Sequence, residues 1–584
     1  MTPDPLVSTQ AASFDWRRVL ERRSFIEYDA LERARALLDD GSMTVLCGPF
    51  DRLESPWLEP QNVTPQEDDG VVIARGTIDE GPVVIASIEQ LFQGGAIGEV
   101  SGAKISQALR LAAVDSRAGT PTGAVLLLET GGVRLQEANL GLNAVAEMCS
   151  AVLELRTLAP VIGIVAGSVG SFGGVSIAAG LCTRLIVTRE GRIGLNGAAV
   201  IESEAGVEEF DSNDRSLIWA IDGGEQRRDT GLADSLVNDD VDELRSELRA
   251  ALKAGVLGAG EHRSERLDVL RARLQTLDPA HPPAPHDLRQ LWGPRYELPA
   301  ATPAPRVVSS EQGEPPRSRG RSWLTALAAG ASIEAVIPSV LSARSDQALY
   351  LAVVPDPGNP FYRARAGQVG LTECLALAEV VRGAIADDSS AGQRRAIVSI
   401  VDLPSQAYGR IEEMTGLHQT IAATVDAYEQ ARVLGHPTVA LVVGTALSGG
   451  FLAHGLQAAQ LLALDDPGVE IHAMHKAAAA KITLRTVEEL DELAKIVLPL
   501  SYNVRDWSKL GFCDELLEVE HADAPSQTDV AHVSDAIDRA IDRARRGPLD
   551  LSNRLDSPAA ITTRAASRAI RDALAEQWTA DRQT

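Results

Sequence analysis

Cysteine and histidine are scarce in this chain of 584 residues. Its five cysteines include no CxxC pair, so no zinc ribbon is expected and the thiols are interpreted as reduced and structural. Only three of the ten histidines precede residue 300, which argues against a metal site built from histidine in the first half. We therefore predict no metal centre.

Long apolar segments and an excess of basic residues are also missing. Gly, Pro or polar residues interrupt every apolar run well before about 18 residues, the length that suggests a membrane span, so no membrane partner is predicted. The first residues, MTPDPLVSTQAASFDW, contain Asp and lack the apolar segment of a signal peptide, which predicts a cytoplasmic location. A net charge of −26 argues against a nucleic-acid partner, which favours a basic face.

What the chain does contain is typical of a large globular protein. Apolar residues make up 45% of it, and its length exceeds what one hydrophobic core serves. Residues 279–287 and 299–321 are rich in proline and other breakers, as exposed linkers are. We therefore predict a first domain over residues 1–295, a linker over 296–321 and a second domain over 322–584.

The two halves repeat one another in pattern. In the first, the strand-like run PTGAVLLLETGG is followed by a helical stretch, a proline and the run VIGIVAG. In the second, RRAIVSIVDLPS is followed by EEMTGLHQTIAATVDAYEQARVL, a proline and TVALVVG. The interval from Pro160 to Gly173 equals the interval from Pro437 to Gly450. Short β-branched runs that alternate with helices indicate parallel strands, so we predict an α/β fold that is built twice.

Glycine-rich turns follow the predicted strands in both halves. A parallel strand that ends in Gly and leads into a helix leaves backbone N–H groups unpaired at the positive end of the helix dipole. Two such turns side by side aim two N–H donors at one oxygen, which is an oxyanion hole. The predicted positions are Gly132, Val133, Gly173 and Gly174 in the first half and Gly449 and Gly450 in the second, with Ser405 and Gln406 beside them.

A serine hydrolase is an alternative. Ser168 and Ser448 each lie in an Ala-x-Ser-x-Gly pattern, a loose form of the nucleophile elbow. Such an enzyme needs a histidine base. The first half has none near its motifs, and His454 in the second half has no evident acidic partner, so this interpretation is the weaker one.

These motifs together resemble the carboxyltransferase branch of the crotonase-like superfamily. ETGGVRLQE, FGGVS and GRIGLNGAAVIE are similar to the beta half of a carboxyltransferase, and the second half is similar to the alpha half. Within that branch, VDLPSQAYGRIEE and VVPDPGNPFYRARAGQVGL resemble the gamma subunit of biotin-independent malonate decarboxylase, and the first half resembles its beta subunit. The family usually carries the two as separate chains, whereas here one chain joins them.

The resemblance implies two crotonase-like domains, each of repeated ββα units with parallel sheets. It also implies decarboxylation of a malonyl thioester to an acetyl thioester and CO₂. The substrate would be carried on the CoA-like prosthetic group of an acyl-carrier protein, with no cofactor bound covalently. The implied partners are the acyl-carrier protein subunit and the acyl-carrier-protein transferase subunit of a malonate decarboxylase complex. A homo-oligomer of at least two chains is predicted as well.

For the site, the resemblance implies that the thioester lies against the first half. Val133, Gly173 and Gly174 would then hold its enolate, and the glycines at 449 and 450 would form a second hole. Arg410 and Glu412 are candidate substrate-binding residues, with a solvated helix start as the alternative for each. Arg410 would position the malonyl carboxylate or would equally oppose decarboxylation by stabilising the ground state. The site is expected where an N-terminal half meets a C-terminal half, from one chain or from two. A biotin-dependent acyl-CoA carboxyltransferase and a non-catalytic scaffold that binds an acyl-carrier protein remain alternatives.

Overall fold

The computed structural model of this protein describes residues 20–300 and 316–581. Within these ranges each half forms one sheet, with strand order β1-β2-β3-β4-β5-β6-β7 in the first and β15-β13-β12-β11-β10-β9-β8 in the second, where β14 also pairs with β12. The strands are β1 (Thr44–Leu46), β2 (Val71–Ile78), β3 (Gly81–Ile88), β4 (Gly123–Leu127), β5 (Val161–Val165), β6 (Arg184–Thr188), β7 (Ser235–Val237), β8 (Ile333–Ile337), β9 (Val340–Arg344), β10 (Ala348–Val353), β11 (Ala396–Leu403), β12 (Thr438–Leu447), β13 (Gln460–Leu464), β14 (Ile471–His472) and β15 (Glu515–Leu517).

The two sheets share one topology. In each, the first three strands form an antiparallel meander, and the strands that follow pair in parallel. The central parallel strands are buried along almost their whole length, which explains their continuous apolar sequences. The prediction of an α/β fold built twice is confirmed, with an antiparallel edge that the sequence patterns did not indicate.

Helices cover the sheets and connect their parallel strands. The described α-helices are α1 (Ala30–Leu37), α2 (Glu99–Arg117), α3 (Ala138–Leu155), α4 (Gly174–Leu181), α5 (Ala198–Ala205), α6 (Arg215–Asp222), α7 (Gly224–Asp229), α8 (Val241–Lys253), α9 (Leu267–Gln275), α10 (Pro285–Trp292), α11 (Arg319–Leu327), α12 (Leu371–Ala391), α13 (Arg410–Thr415), α14 (Leu417–Val433), α15 (Ser448–Ala453), α16 (Lys476–Ile482), α17 (Val487–Ala494), α18 (Val504–Ser508), α19 (Gln527–Arg546), α20 (Pro558–Thr563) and α21 (Ala565–Asp581). None of them is long and apolar enough to traverse a bilayer.

The two halves pack closely against each other. Helix α4 of the first half lies against α14 of the second, where a Cβ on Gly180 would come within 3.1 Å of Ala422 Cβ. The C-terminal helix α21 returns to the first half and packs along α2. There Trp578 Nε1 donates a hydrogen bond to Asp115 Oδ2 at 3.1 Å. The second half therefore contacts the first through two separate helices, α14 and α21.

Two details differ from the sequence patterns. The predicted linker, residues 296–321, is structured at its C-terminal end, because α11 begins at Arg319 and that side chain forms an ion pair with Asp466 at 2.7 Å. Residues 301–315 of the linker lie outside the described residues. The helical stretch expected after β11 is divided into α13 and α14, because Gly416 adopts a φ of 91° that ends the first helix.

Candidate active site

A cavity of about 450 Å³ lies where the two halves of the chain meet. Both halves supply its walls. The first contributes Gln93, Gly94, Ala96, Gly131, Val133, Leu135, Gln136, Leu142, Gly173, Gly174, Leu195, Asn196, Gly197, Ala199 and Val200. The second contributes Gln406, Tyr408, Ser448, Gly449, Leu452, Ala473, Met474, Ile482 and Thr483. The predicted junction between an N-terminal and a C-terminal half thus exists within a single chain.

Two glycine turns of the first half lie against each other at this cavity. Thr130, after β4, and Ser171, after β5, pair in a parallel bridge that holds the turns side by side. A Cβ on Gly173 would lie only 2.9 Å from Gly132 Cα. Gly173 also has a φ of 59° and a ψ of −150°, a conformation that favours glycine. Close approach and backbone conformation therefore both require glycine at position 173.

Hydrogen bonding divides the amides of these turns into two groups. Gly132 N–H donates to Thr130 Oγ1, and Gly173 N–H donates to the carbonyl of Leu195, both at 2.9 Å. The N–H groups of Val133 and Gly174 donate to no acceptor in the described part of the chain. Gly174 is also the first residue of α4, at the positive end of its dipole. The four predicted positions thus separate into two that shape the turns and two whose N–H groups are free to act as an oxyanion hole.

The second half repeats this arrangement. The bridge between Ile97 and Val133 corresponds to the bridge between Val369 and Gln406, which gives Gln406 the place of Val133. The left-handed residue at the start of the helix is Gly173 in the first half and Ser448, with a φ of 57°, in the second.

Gly449 therefore corresponds to Gly174, and equal spacing from the preceding proline does not mark equivalent positions. The counterpart of Gly173 is Ser448, which follows Pro437 more closely than Gly173 follows Pro160. Gly450 lies within α15 and is not among the lining residues.

The Gly449 amide, unlike that of Gly174, has a hydrogen-bond partner. Gln406 Oε1 accepts from Gly449 N–H at 2.8 Å, and Gln406 Nε2 donates to Asn196 Oδ1 at 2.6 Å. Asn196 Nδ2 donates in turn to Glu413 Oε1 at 2.8 Å. The carboxamide of Gln406 thus closes the second turn and links it to the first half.

Glu413 anchors this network between the halves. Besides the Asn196 side chain, its carboxylate accepts hydrogen bonds from Leu195 N–H at 2.9 Å and Asn196 N–H at 2.8 Å. Burial first, and then the nearby Asp222 carboxylate, raise the pKa of Glu413, whereas the Arg227 guanidinium opposes that rise. Leu195 is the same residue whose carbonyl holds Gly173 N–H, so the network also fixes the first turn.

Three further predicted residues do not line the cavity. Ser405 is buried, and its Oγ donates to the carbonyl of Gln406 at 2.7 Å. Arg410 is exposed at the start of α13, where its backbone N–H donates to Glu209 Oε1 at 2.8 Å. Glu412 is buried, and neither of its carboxylate oxygens has a hydrogen-bond partner among the described residues. Burial raises the pKa of Glu412 to about 7.

The lining residues that were not singled out from the sequence include Asn196 and Tyr408, which both lie in the motifs that carry the family resemblance. Asn196, in GRIGLNGAAVIE, joins the two halves as described above. Tyr408, in VDLPSQAYGRIEE, places its ring edge-on to that of His475, with centroids 6.4 Å apart. Its hydroxyl has no hydrogen-bond partner among the described residues. A polar residue inside an already specific motif was the available signal for each.

The lining is uncharged. The lining residues from the described ranges include no Asp, Glu, Lys, Arg, His or Cys, and Tyr408 is their one titratable side chain. Ser448 lines the cavity without a histidine beside it in the lining, and His454 instead bonds through Nδ1 to the Tyr428 hydroxyl at 2.7 Å. The arrangement therefore does not support the serine hydrolase alternative.

Comparison with known proteins assigns the two halves to two protein families. Residues 29–292 match the carboxyl transferase domain, and residues 364–578 match the malonate decarboxylase gamma subunit. The chain is 38% identical over 291 residues to the malonyl-S-ACP:biotin-protein carboxyltransferase MADC of Malonomonas rubra, a match that covers 47% of this chain and 89% of that protein.

Two other similarities accompany it. The malonyl-S-ACP:biotin-protein carboxyltransferase MADD of Malonomonas rubra is 36% identical over 188 residues, covering 31% of this chain and 64% of that protein. A chain of the Pseudomonas malonate decarboxylase hetero-tetramer in complex with malonate is 54% identical. That match covers 47% of this chain and 99% of the Pseudomonas chain, with a TM-score of 0.46.

Proposed function

The chain belongs to the malonate decarboxylase family of carboxyltransferases, with a carboxyl transferase domain and a gamma-subunit domain joined in one chain, and on this premise we propose that it decarboxylates a malonyl thioester. The proposed products are an acetyl thioester and CO₂. The names of MADC and MADD specify malonyl-S-ACP, which supports a substrate carried on the prosthetic group of an acyl-carrier protein.

Backbone N–H groups would stabilise the negative charge that forms on the substrate during decarboxylation. Loss of CO₂ leaves a thioester enolate whose oxygen carries negative charge. The free N–H groups of Val133 and Gly174 are the proposed donors to that oxygen. Removing one donor of such a pair typically costs about 10²–10³ in rate.

The observation that carries the proposal is that the two residues with free N–H groups line a cavity whose lining residues are uncharged. A cation beside the malonyl carboxylate would stabilise the ground state more than the transition state, in which the negative charge moves toward the thioester. Arg410, the predicted carboxylate partner, is exposed and outside the lining. The uncharged lining of the cavity therefore favours the dispersed charge of the transition state.

Transfer of the carboxyl group to biotin is the second candidate, because MADC and MADD are named as biotin-protein carboxyltransferases. Such a transfer would use the second turn to hold the acceptor. The Gly449 N–H of that turn donates to Gln406 Oε1, which supports direct release of CO₂ instead.

We further propose the assembly that the family implies. The partners would be an acyl-carrier protein subunit and an acyl-carrier-protein transferase subunit, with at least two copies of this chain in a cytoplasmic complex. Because the cavity lies between halves of one chain, oligomerisation is not needed to complete it.

The experiment that tests the function measures CO₂ release from malonyl-CoA and from a malonyl-loaded acyl-carrier protein by the purified chain, with and without biotin. Equal release in both conditions, with acetyl-CoA formed in the same amount, supports the decarboxylase. Release that depends on biotin, together with carboxybiotin as a product, would support the transferase. A folded protein that does neither would support a scaffold.

A further inference from the structure

Direct decarboxylation needs a proton that carboxyl transfer does not require from the protein. When the C–C bond of the malonyl group breaks, its electron pair stays on the thioester enolate, and C2 must then be protonated. An N–H acceptor that takes up the carboxyl group gives up a proton that can return to C2. Without such an acceptor, the proton comes from a protein group or from water.

Tyr408 is the one titratable side chain in the lining contributed by the described residues. It is 7% exposed, and its hydroxyl forms no hydrogen bond with any described residue. A buried polar group without a partner is costly, so its retention calls for a functional reason. A Tyr408 hydroxyl that donates its proton to the substrate does not need to accept a hydrogen bond from the protein.

The surroundings of the hydroxyl keep it protonated. Burial, followed by the Glu204 carboxylate, raises the pKa of Tyr408. The side chains of Ser448, Ser405 and Gln406 lie near enough to oppose that rise, but none of the three forms a hydrogen bond of acceptable geometry with the phenol. The neutral form is therefore the form present at physiological pH.

Tyr408 also lies in a suitable place relative to the two free amides. Val133 and Gly174 belong to the wall from the first half, whereas Tyr408 belongs to the wall from the second half. An enolate whose oxygen is held by the first wall can present C2 toward the second. The two halves would thus divide the chemistry between charge stabilisation and proton donation.

We propose that Tyr408 is the proton donor, whose O–H bond breaks as a C–H bond forms at C2 of the enolate held by Val133 and Gly174. This inference rests on the proposed decarboxylation. The phenolate then takes a proton from water, so each turnover consumes one proton from solvent and releases one CO₂. No oxidant, reductant or acceptor enters the balance.

The test follows the fate of the enolate in wild type and in Tyr408→Phe. Both proteins react with malonyl-CoA in the presence of ¹³CO₂, and mass spectrometry measures ¹³C returned to malonyl-CoA and acetyl-CoA formed. Without its donor the enolate survives longer and recaptures CO₂ more often. Because general acids typically contribute about 10²–10⁴-fold, acetyl-CoA formation should fall by about 10²-fold or more, and the ratio of ¹³C return to acetyl-CoA should rise at least about tenfold.

Tyr428→Phe is the matched control. Tyr428 is also buried in the second half, with 2% of its surface exposed, but it lies outside the cavity lining. Its variant should leave the ratio unchanged, whatever it does to stability. A merely structural role of Tyr408 would lower both rates together, and an unchanged ratio in Tyr408→Phe would therefore overturn the assignment. The same rise in both variants would overturn it too. Wild-type protein that releases no CO₂ from malonyl-CoA or from a malonyl-loaded acyl-carrier protein would refute the proposed function itself and this inference with it.

Discussion

Replacing Gly173 with alanine should disable the site in a protein that still folds. The added Cβ would lie 2.9 Å from Gly132 Cα and 3.6 Å from Val133 N. Carbon atoms in contact normally stay about 3.5–4.0 Å apart, so the two turns must separate by roughly half an ångström or more. The φ of 59° and ψ of −150° add a backbone cost of about 1–3 kcal/mol for a residue other than glycine.

The catalytic loss should exceed what the lost stability explains. Val133 and Gly174 belong to the two turns that the new methyl group pushes apart, so they can no longer donate to one oxygen. Loss of one such donor typically costs about 10²–10³ in kcat, or about 2.7–4 kcal/mol. A stability loss of about 1–3 kcal/mol leaves most of a large protein folded at 25 °C. We therefore expect kcat for CO₂ release to fall by about 10²-fold at a temperature well below unfolding.

The assay is CO₂ release from malonyl-CoA, with circular dichroism to show that the variant is folded. Gly119→Ala is the control, because Gly119 has a φ of 94° but a Cβ there would meet no atom within 4 Å. Gly119→Ala should lose stability through backbone strain and keep its kcat. Folded Gly173→Ala with a kcat within about threefold of wild type would refute the assignment of the hole.

Four further outcomes are expected. Gly197→Leu should abolish turnover without lowering the thermal midpoint, because a Cβ at Gly197 meets no atom within 4 Å and its side chain would fill the cavity. Gln406→Ala should release Gly449 N–H and allow carboxybiotin to form from free biotin, detected by mass spectrometry, whereas wild type forms none. Burial raises the pKa of Glu412 from 4.5 to about 7, so ionisation destabilises the native state as pH rises through that range. Glu412→Gln should therefore be more stable than wild type at pH 8 by up to about 3 kcal/mol, but similar at pH 4.5, in thermal unfolding. Gly450→Val should also be inactive, because a Cβ there would lie 2.7 Å from the Ser405 carbonyl oxygen, and refolding it together with Gly197→Leu should recover no activity, because the cavity lies within one chain.

The sequence predicted the fold well wherever the apolar pattern of a single strand or helix was enough to identify that element. VIGIVAG contains β5, TVALVVG lies within β12, and the helical stretches on either side of them are present in both halves. The antiparallel edge was missed because the runs compared between the halves contain the parallel strands β4, β5, β11 and β12, and no strand of the edge was among them. The break at Gly416 was missed because a glycine inside an apolar-periodic stretch does not by itself distinguish a kink from a tolerated glycine.

The candidate site was predictable only in outline. Paired Gly turns indicated where N–H groups would be free, but which amides remain free depends on tertiary partners. The Leu195 carbonyl holds Gly173 N–H, and the Gln406 side chain holds Gly449 N–H, and neither contact follows from spacing along the chain. Met474 and Thr483, which complete the cavity, come from a segment far beyond the gamma-type motif along the chain.

The different residues at two equivalent positions explain how, under the proposed function, a duplicated fold would hold one open oxyanion hole and one closed one. Val133 and Gln406 occupy the same place in their turns, and each lines the cavity together with a glycine near a helix start, Gly174 or Gly449. The valine side chain has no polar atom with which to accept from Gly174, so that amide stays free. The glutamine side chain reaches Gly449 N–H and continues to Asn196 across the junction. One side chain thus removes a donor from the second hole and secures the contact between the halves. Because decarboxylation leaves a single enolate oxygen to stabilise, a chain with one open hole has what that reaction requires, whereas transfer to an acceptor would need both.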